Sequence, residues 1–122
     1  MTDSKFSILL VDDEKSIHEA LGIALTEAGH LVGYAADGAI GFQMFLEGSW
    51  DVVVTDRAMP QMSGEQLAAE IKAISPKTPI ILITGHLMEE TRVQLFDAVL
   101  QKPFAMSKLL ACVEQVLDAT KR

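Results

Sequence analysis

The chain has one cysteine, Cys112, so no internal disulfide can form, and the cytoplasm is the expected compartment. Long apolar runs are missing as well. The longest, such as Ile8–Val11 and Ile80–Ile83, reach four to five residues, far short of a membrane span, and no membrane partner is expected. The opening Met-Thr-Asp-Ser-Lys-Phe-Ser lacks the apolar stretch and small-residue cleavage site of a signal peptide. Basic residues are scarce, with 10 Lys and Arg against 17 Asp and Glu, for a net charge of −7. Such a surface repels nucleic-acid phosphates, so direct binding of DNA or RNA by this chain is not expected. The three histidines, His18, His30 and His86, lack metal-ligand spacing, and His18 and His30 read as solvated.

What is present is apolar character without low complexity. A hydrophobic fraction of 49% over 122 residues is enough for a real core, and neither a repeat nor a linker interrupts it. Residues 1–122 therefore read as a single domain. Ile8-Leu9-Leu10-Val11, Val52-Val53-Val54 and Ile80-Ile81-Leu82-Ile83 are continuous and largely β-branched. Strands of a parallel sheet covered on both faces look like this. Leu31–Ala35 and Ala98–Gln101 are weaker strands.

Between the strands the period becomes helical. Ile17, Ala20, Leu21, Ala24 and Leu25 mark one helix, stopped at Gly29; Ile40, Met44 and Phe45 mark another, ended by Gly48. Leu67, Ala68, Ile71 and Ile74 mark a third, closed before Pro76, and Leu109, Cys112, Val113, Val116 and Leu117 mark the last. His86–Phe96 is expected to be a further helix of poor periodicity. Cys112 falls on the core face of the last helix, where a thiol is inert. The α/β pattern is (βα)5, which right-handed crossovers wind into a doubly wound, five-stranded parallel sheet of flavodoxin-like order 2-1-3-4-5.

Ligands of open parallel sheets bind at the carboxyl ends of the strands. After strand one come Asp12 and Asp13; after strand three, Asp56; after strand four, Thr84; after strand five, Lys102. Three carboxylates, a hydroxyl and an ammonium thus converge on one edge, whereas the other offers Phe6, Leu31, Trp50 and Pro79. Like charges about 4 Å apart repel by roughly 4 kcal/mol at an effective dielectric of 20. Either some carboxylates protonate, or a divalent cation sits among them. An all-oxygen donor set selects Mg2+, Mn2+ or Ca2+. Mg2+ leaves coordination positions for water and phosphate, and a carboxylate beside a cation, a lysine and a hydroxyl can itself accept a phosphoryl group. Asp12, Asp13 and Glu14 could instead serve only to cap the following helix; the other strand-end groups weigh against so plain a role.

Val11-Asp12-Asp13-Glu14, Asp56 with Met59-Pro60 and Gly64, Thr84-Gly85, and Lys102-Pro103-Phe104 together resemble the receiver domain of two-component response regulators, over nearly the whole chain. The resemblance implies that Asp56 accepts phosphate from a phosphohistidine of a sensor histidine kinase or phosphotransfer protein. It implies Mg2+ (with Mn2+ as a substitute) held by Asp13, Asp56 and the Ala58 carbonyl, with Asp12 acting through water. Thr84 and Lys102 would bind the phosphoryl oxygens and signal to a downstream protein, and the Lys102–Pro103 bond would be cis. The chain would not be an enzyme except toward its own phosphorylation and dephosphorylation.

Two positions depart from the pattern. Val99 stands three residues before the lysine, where the family carries a switch aromatic, and the Thr84-to-Lys102 interval is shorter by about one helical turn. Asp56 phosphorylation is therefore expected to produce little dimerisation through the face made by the fourth helix, the fifth strand and the fifth helix; the signal should appear as movement of the Gly85–Glu90 loop. Among rivals, an aspartate-nucleophile phosphatase of the haloacid-dehalogenase type needs a second acid where Ala58 stands. A flavodoxin-like electron carrier needs a phosphate loop where Asp12-Asp13-Glu14 would repel the ligand. A binding-only pseudo-receiver has no need of the complete residue set.

Overall fold

The computed structural model describes residues 6–59, 61–85 and 95–120. Five strands, β1 (Ser7–Val11), β2 (Leu31–Ala35), β3 (Val52–Asp56), β4 (Ile80–Thr84) and β5 (Ala98–Gln101), form one parallel sheet in the order β2-β1-β3-β4-β5. The described helices are α1 (Lys15–Glu27), α2 (Gly38–Glu47), α3 (Gly64–Ile74) and α4 (Met106–Thr120). This is the expected topology. The expected helix over His86–Phe96 lies outside the described residues except for Leu95 and Phe96, and so do His86, Pro60 and nearly all of the Gly85–Glu90 loop.

The apolar runs become central strands because alternate side chains serve opposite faces. Ile8, Leu10, Val52, Val54, Ile81 and Ile83 pack with Leu21 and Leu25 of α1 and with Leu109 and Val113 of α4. On the other face Leu9, Val11, Val53, Ile80 and Leu82 pack with Leu67, Ala68 and Ile71 of α3. Full burial of each such side chain contributes about 1.5–3 kcal/mol before entropy is charged against it. These two layers hold the sheet rigid, and the strand ends with it. Half-buried Cys112 packs against the first cluster, and burial pushes its thiol above the usual range.

Helix ends follow local chemistry. Ser63 caps α3 in a reciprocal box: its Oγ accepts from the Gln66 N–H at 3.1 Å, and Gln66 Oε1 accepts from the Ser63 N–H at 2.9 Å. Asp37 Oδ1 caps α2 by accepting from Ile40 N–H at 2.8 Å. After α1 the chain reverses through Gly29 at φ 99°, a left-handed conformation open to glycine at little cost.

One expectation is corrected at the amino-terminal edge of the sheet. His30 is buried rather than solvated, its ring 5.8 Å from that of Phe6. The Leu31 N–H donates to the Phe6 carbonyl at 2.8 Å, which brings His30 alongside Phe6. His18 is half-buried against Tyr34, with its Nε2 out of solvent.

Candidate functional site

Strand register assembles the site. Val11 pairs with Thr55, so one step further sets Asp12 beside Asp56, the last residue of β3. Asp56 pairs with Ile83 and Thr84 with Gln101, which puts Thr84 one step beyond the acid and Lys102 just past β5. Asp56 and Thr84 are the final residues of their strands rather than the first residues after them, a difference of one position. Gly64, at the start of α3, approaches the main chain of Asp56 and Arg57 closely. Its N–H donates to the Arg57 carbonyl at 2.8 Å, and a Cβ there would lie 3.0 Å from Arg57 Cα. A side chain at position 64 would push α3 off the end of β3.

The carboxylates of Asp12, Asp13 and Asp56 each bring an oxygen within 4.8 Å of the others. Asp12 is 1% exposed and Asp56 7%, whereas Asp13 faces solvent. Asp12 Oδ1 accepts from the Glu14 N–H at 2.8 Å, but its Oδ2 is buried with no hydrogen-bond partner among the described residues. Burial, with the nearby Asp56 and Asp13 charges adding to it, pushes the Asp12 carboxyl up to about 6. Burial also raises the Asp56 carboxyl, against the Lys102 ammonium, which pulls it down. Lys102 Nζ lies 3.2 Å from Asp56 Oδ1 and 3.8 Å from Glu14 Oε1. Burial, the largest single influence, would lower the lysine, yet the Asp56, Asp12 and Glu14 carboxylates together outweigh it and hold the ammonium above its usual range. An unpartnered carboxylate oxygen buried among like charges fits an all-oxygen divalent cation site.

An open cleft joins Asp13, Asp56, Ala58, Thr84 and Lys102, and Thr84 is buried at its floor. The Lys102–Pro103 peptide bond is cis, as the resemblance implies. Every residue named from sequence for this site therefore meets in one place. Val99 is half-buried in the second cluster. Three charged neighbours were not read from sequence: Glu14 as a second partner of Lys102, and Arg57 with Glu65 on the α3 side. Arg57 could have been found from its place directly after a strand-end acid.

Trp50 sits apart from the cleft. Its indole N–H donates to the Met44 carbonyl at 2.9 Å, and its ring lies against Gly33. Titration with Mg2+ should leave its fluorescence unchanged; strong quenching would contradict this placement.

Comparison with known proteins agrees with this arrangement. The sequence profile of the response regulator receiver domain matches residues 8–114. The transcriptional regulatory protein RprY of Bacteroides fragilis is 36% identical over 94% of this chain and 50% of its own length. The transcriptional regulatory protein CusR of Escherichia coli is 34% identical over 90% of this chain and 50% of its own. The chain thus spans about half the length of these curated relatives. Among solved structures, the response regulator TrrA of Thermotoga maritima in complex with Mg2+ and BeF superposes with a TM-score of 0.87 at 31% identity, covering 93% of this chain and 99% of that one.

Proposed function

The chain belongs to the response regulator receiver domain family, and on that premise we propose that Asp56 is its phosphoacceptor. It is a receiver domain of two-component signalling and not a classical enzyme. The observation that carries the assignment to Asp56 is its position at the end of a central strand, 3.2 Å from Lys102 and grouped with the Asp12 and Asp13 carboxylates.

In this reading an Asp56 carboxylate oxygen forms a bond to the donor's phosphorus. The bond from phosphorus to the donor's leaving group breaks, and its electron pair departs with a histidine imidazole or, for acetyl phosphate, with acetate. Lys102, already beside Asp56, offsets the charge on the new acyl phosphate, and the Thr84 hydroxyl at the cleft floor donates to a phosphoryl oxygen. Asp12, Asp13, Asp56 and the Ala58 carbonyl would hold Mg2+, which neutralises carboxylate and phosphoryl charge; a magnesium complex is known for the similar TrrA structure. Mn2+, with the same preference for oxygen ligands, would substitute.

The donor is a sensor histidine kinase or phosphotransfer protein, the compartment is the cytoplasm, and the response is read by a downstream partner. Two matched relatives are transcriptional regulators about twice the span of this chain. The output of a protein carrying this domain can therefore be DNA, and the expectation of no nucleic-acid contact narrows to the acidic surface of the domain itself. Incubation with acetyl phosphate and Mg2+, followed by intact mass, should show one phosphoryl adduct. Rapid donor hydrolysis without an adduct would instead support the phosphatase reading.

A further inference from the structure

The cleft holds a second cation that the phosphoacceptor reading does not use. Arg57 follows the acceptor directly, and its main chain is fixed on both sides: its N–H donates to the Ile83 carbonyl at 3.0 Å, and its carbonyl accepts from Gly64 at 2.8 Å. The side chain is held too, since Nε donates to Glu65 Oε1 at 3.2 Å, with Glu65 in the first turn of α3. Arg57 and Glu65 both line the cleft, and the Arg57 side chain remains 32% exposed there. With Nε so engaged, the Nη1 and Nη2 edge of the guanidinium makes no hydrogen bond among the described residues. Lys102, by contrast, is committed to Asp56 and Glu14. The cleft thus carries one cation bound to the acceptor and another held near the α3 rim, with donors to spare.

This placement matters for an incoming phosphodonor. The donor is an anion approaching Asp12, Asp13, Glu14 and Asp56 in a protein of net charge −7, so Coulomb repulsion opposes its entry. A guanidinium fixed at the rim lowers that barrier before chemistry begins, and its effect grows with the donor's charge. We propose that Arg57, tethered by Glu65, is a specificity-determining residue that favours phosphodonors of higher negative charge. The proposal rests on Asp56 being the acceptor.

The test compares doubly charged acetyl phosphate with singly charged phosphoramidate at neutral pH and saturating Mg2+, with initial rates of adduct formation read by intact mass. In both reactions Asp56 gains the phosphorus bond; acetate leaves in one and ammonia in the other. Arg57→Ala should lower the acetyl phosphate rate about threefold to fivefold and the phosphoramidate rate less than about twofold, with the gap closing at high salt. Arg57→Lys should restore most of the loss because the charge returns. Glu65→Gln should raise the acetyl phosphate rate by about twofold, since it removes a competing anion. Equal effects on both donors, or no effect, would reduce the pair to a surface ion bridge and overturn the proposal while leaving Asp56 labelling intact. Wild-type protein that takes phosphate from neither donor would overturn the phosphoacceptor reading itself.

Discussion

Asp56→Asn should abolish the acetyl phosphate adduct entirely while leaving the fold in place. An amide cannot serve as the nucleophilic carboxylate, so the loss is of the reaction and not of binding alone. The fold should persist because the β3 main chain is fixed independently of that side chain. Arg57 N–H bonds to Ile83, Gly64 N–H bonds to Arg57, and Val52, Val53 and Val54 are fully buried. The substitution should even stabilise the metal-free protein. Burial raises the Asp56 carboxyl in the folded state, so near neutral pH the fold bears the cost of the charge, and the neutral amide removes it. Its loss leaves Lys102 with Glu14 at 3.8 Å as a remaining partner. Intact mass together with thermal unfolding decides the matter: an undiminished adduct on the variant would move the acceptor to another carboxylate.

Much of the architecture was legible because continuous runs such as Val52-Val53-Val54 have one economical use, a strand covered on both faces. Once five such strands were in order, the carboxyl-edge rule collected Asp12, Asp13, Asp56, Thr84 and Lys102 without further information. Local pattern could not convey burial at the sheet's other edge. His30 follows a helix stop and has no periodicity to read, and its environment depends on the pairing of Leu31 with Phe6, a contact between distant segments. The same holds for the cross-element clamp in which Lys72 Nζ meets Asp97 Oδ2 at 3.0 Å while that oxygen also accepts from Ile80 N–H. Nor does sequence reveal that Asp12 and Asp13, adjacent and chemically identical, differ sharply in exposure. Strand register decides that, by turning Asp12 inward beside Asp56.

The burial of Asp12 has a large thermodynamic consequence. Its carboxyl titrates at about 6 in the folded protein, against an ordinary value of 3.8, because the buried charge lacks solvent. Between those values the folded state holds a proton that the unfolded chain has released, so this group makes stability rise as pH falls from 7 towards 4 and be lost as pH rises through 6. Above 6 both states are ionised, and the fold carries the full penalty, on the order of 2–3 kcal/mol. In EDTA at pH 7, Asp12→Asn should therefore be more stable than the parent by a similar amount, and the gap should shrink at pH 5. The amide oxygen can keep the bond from the Glu14 N–H, and the new NH2 can donate to a neighbouring carboxylate where Oδ2 had no partner. Added Mg2+ should reverse the order, stabilising the parent by binding the folded state and the variant much less. Urea unfolding at pH 5 and pH 7, with and without Mg2+, tests each arm. A variant less stable than the parent in EDTA at pH 7 would mean that the Asp12 charge is compensated within the protein, and the case for a cation at its bare oxygen would fall with it.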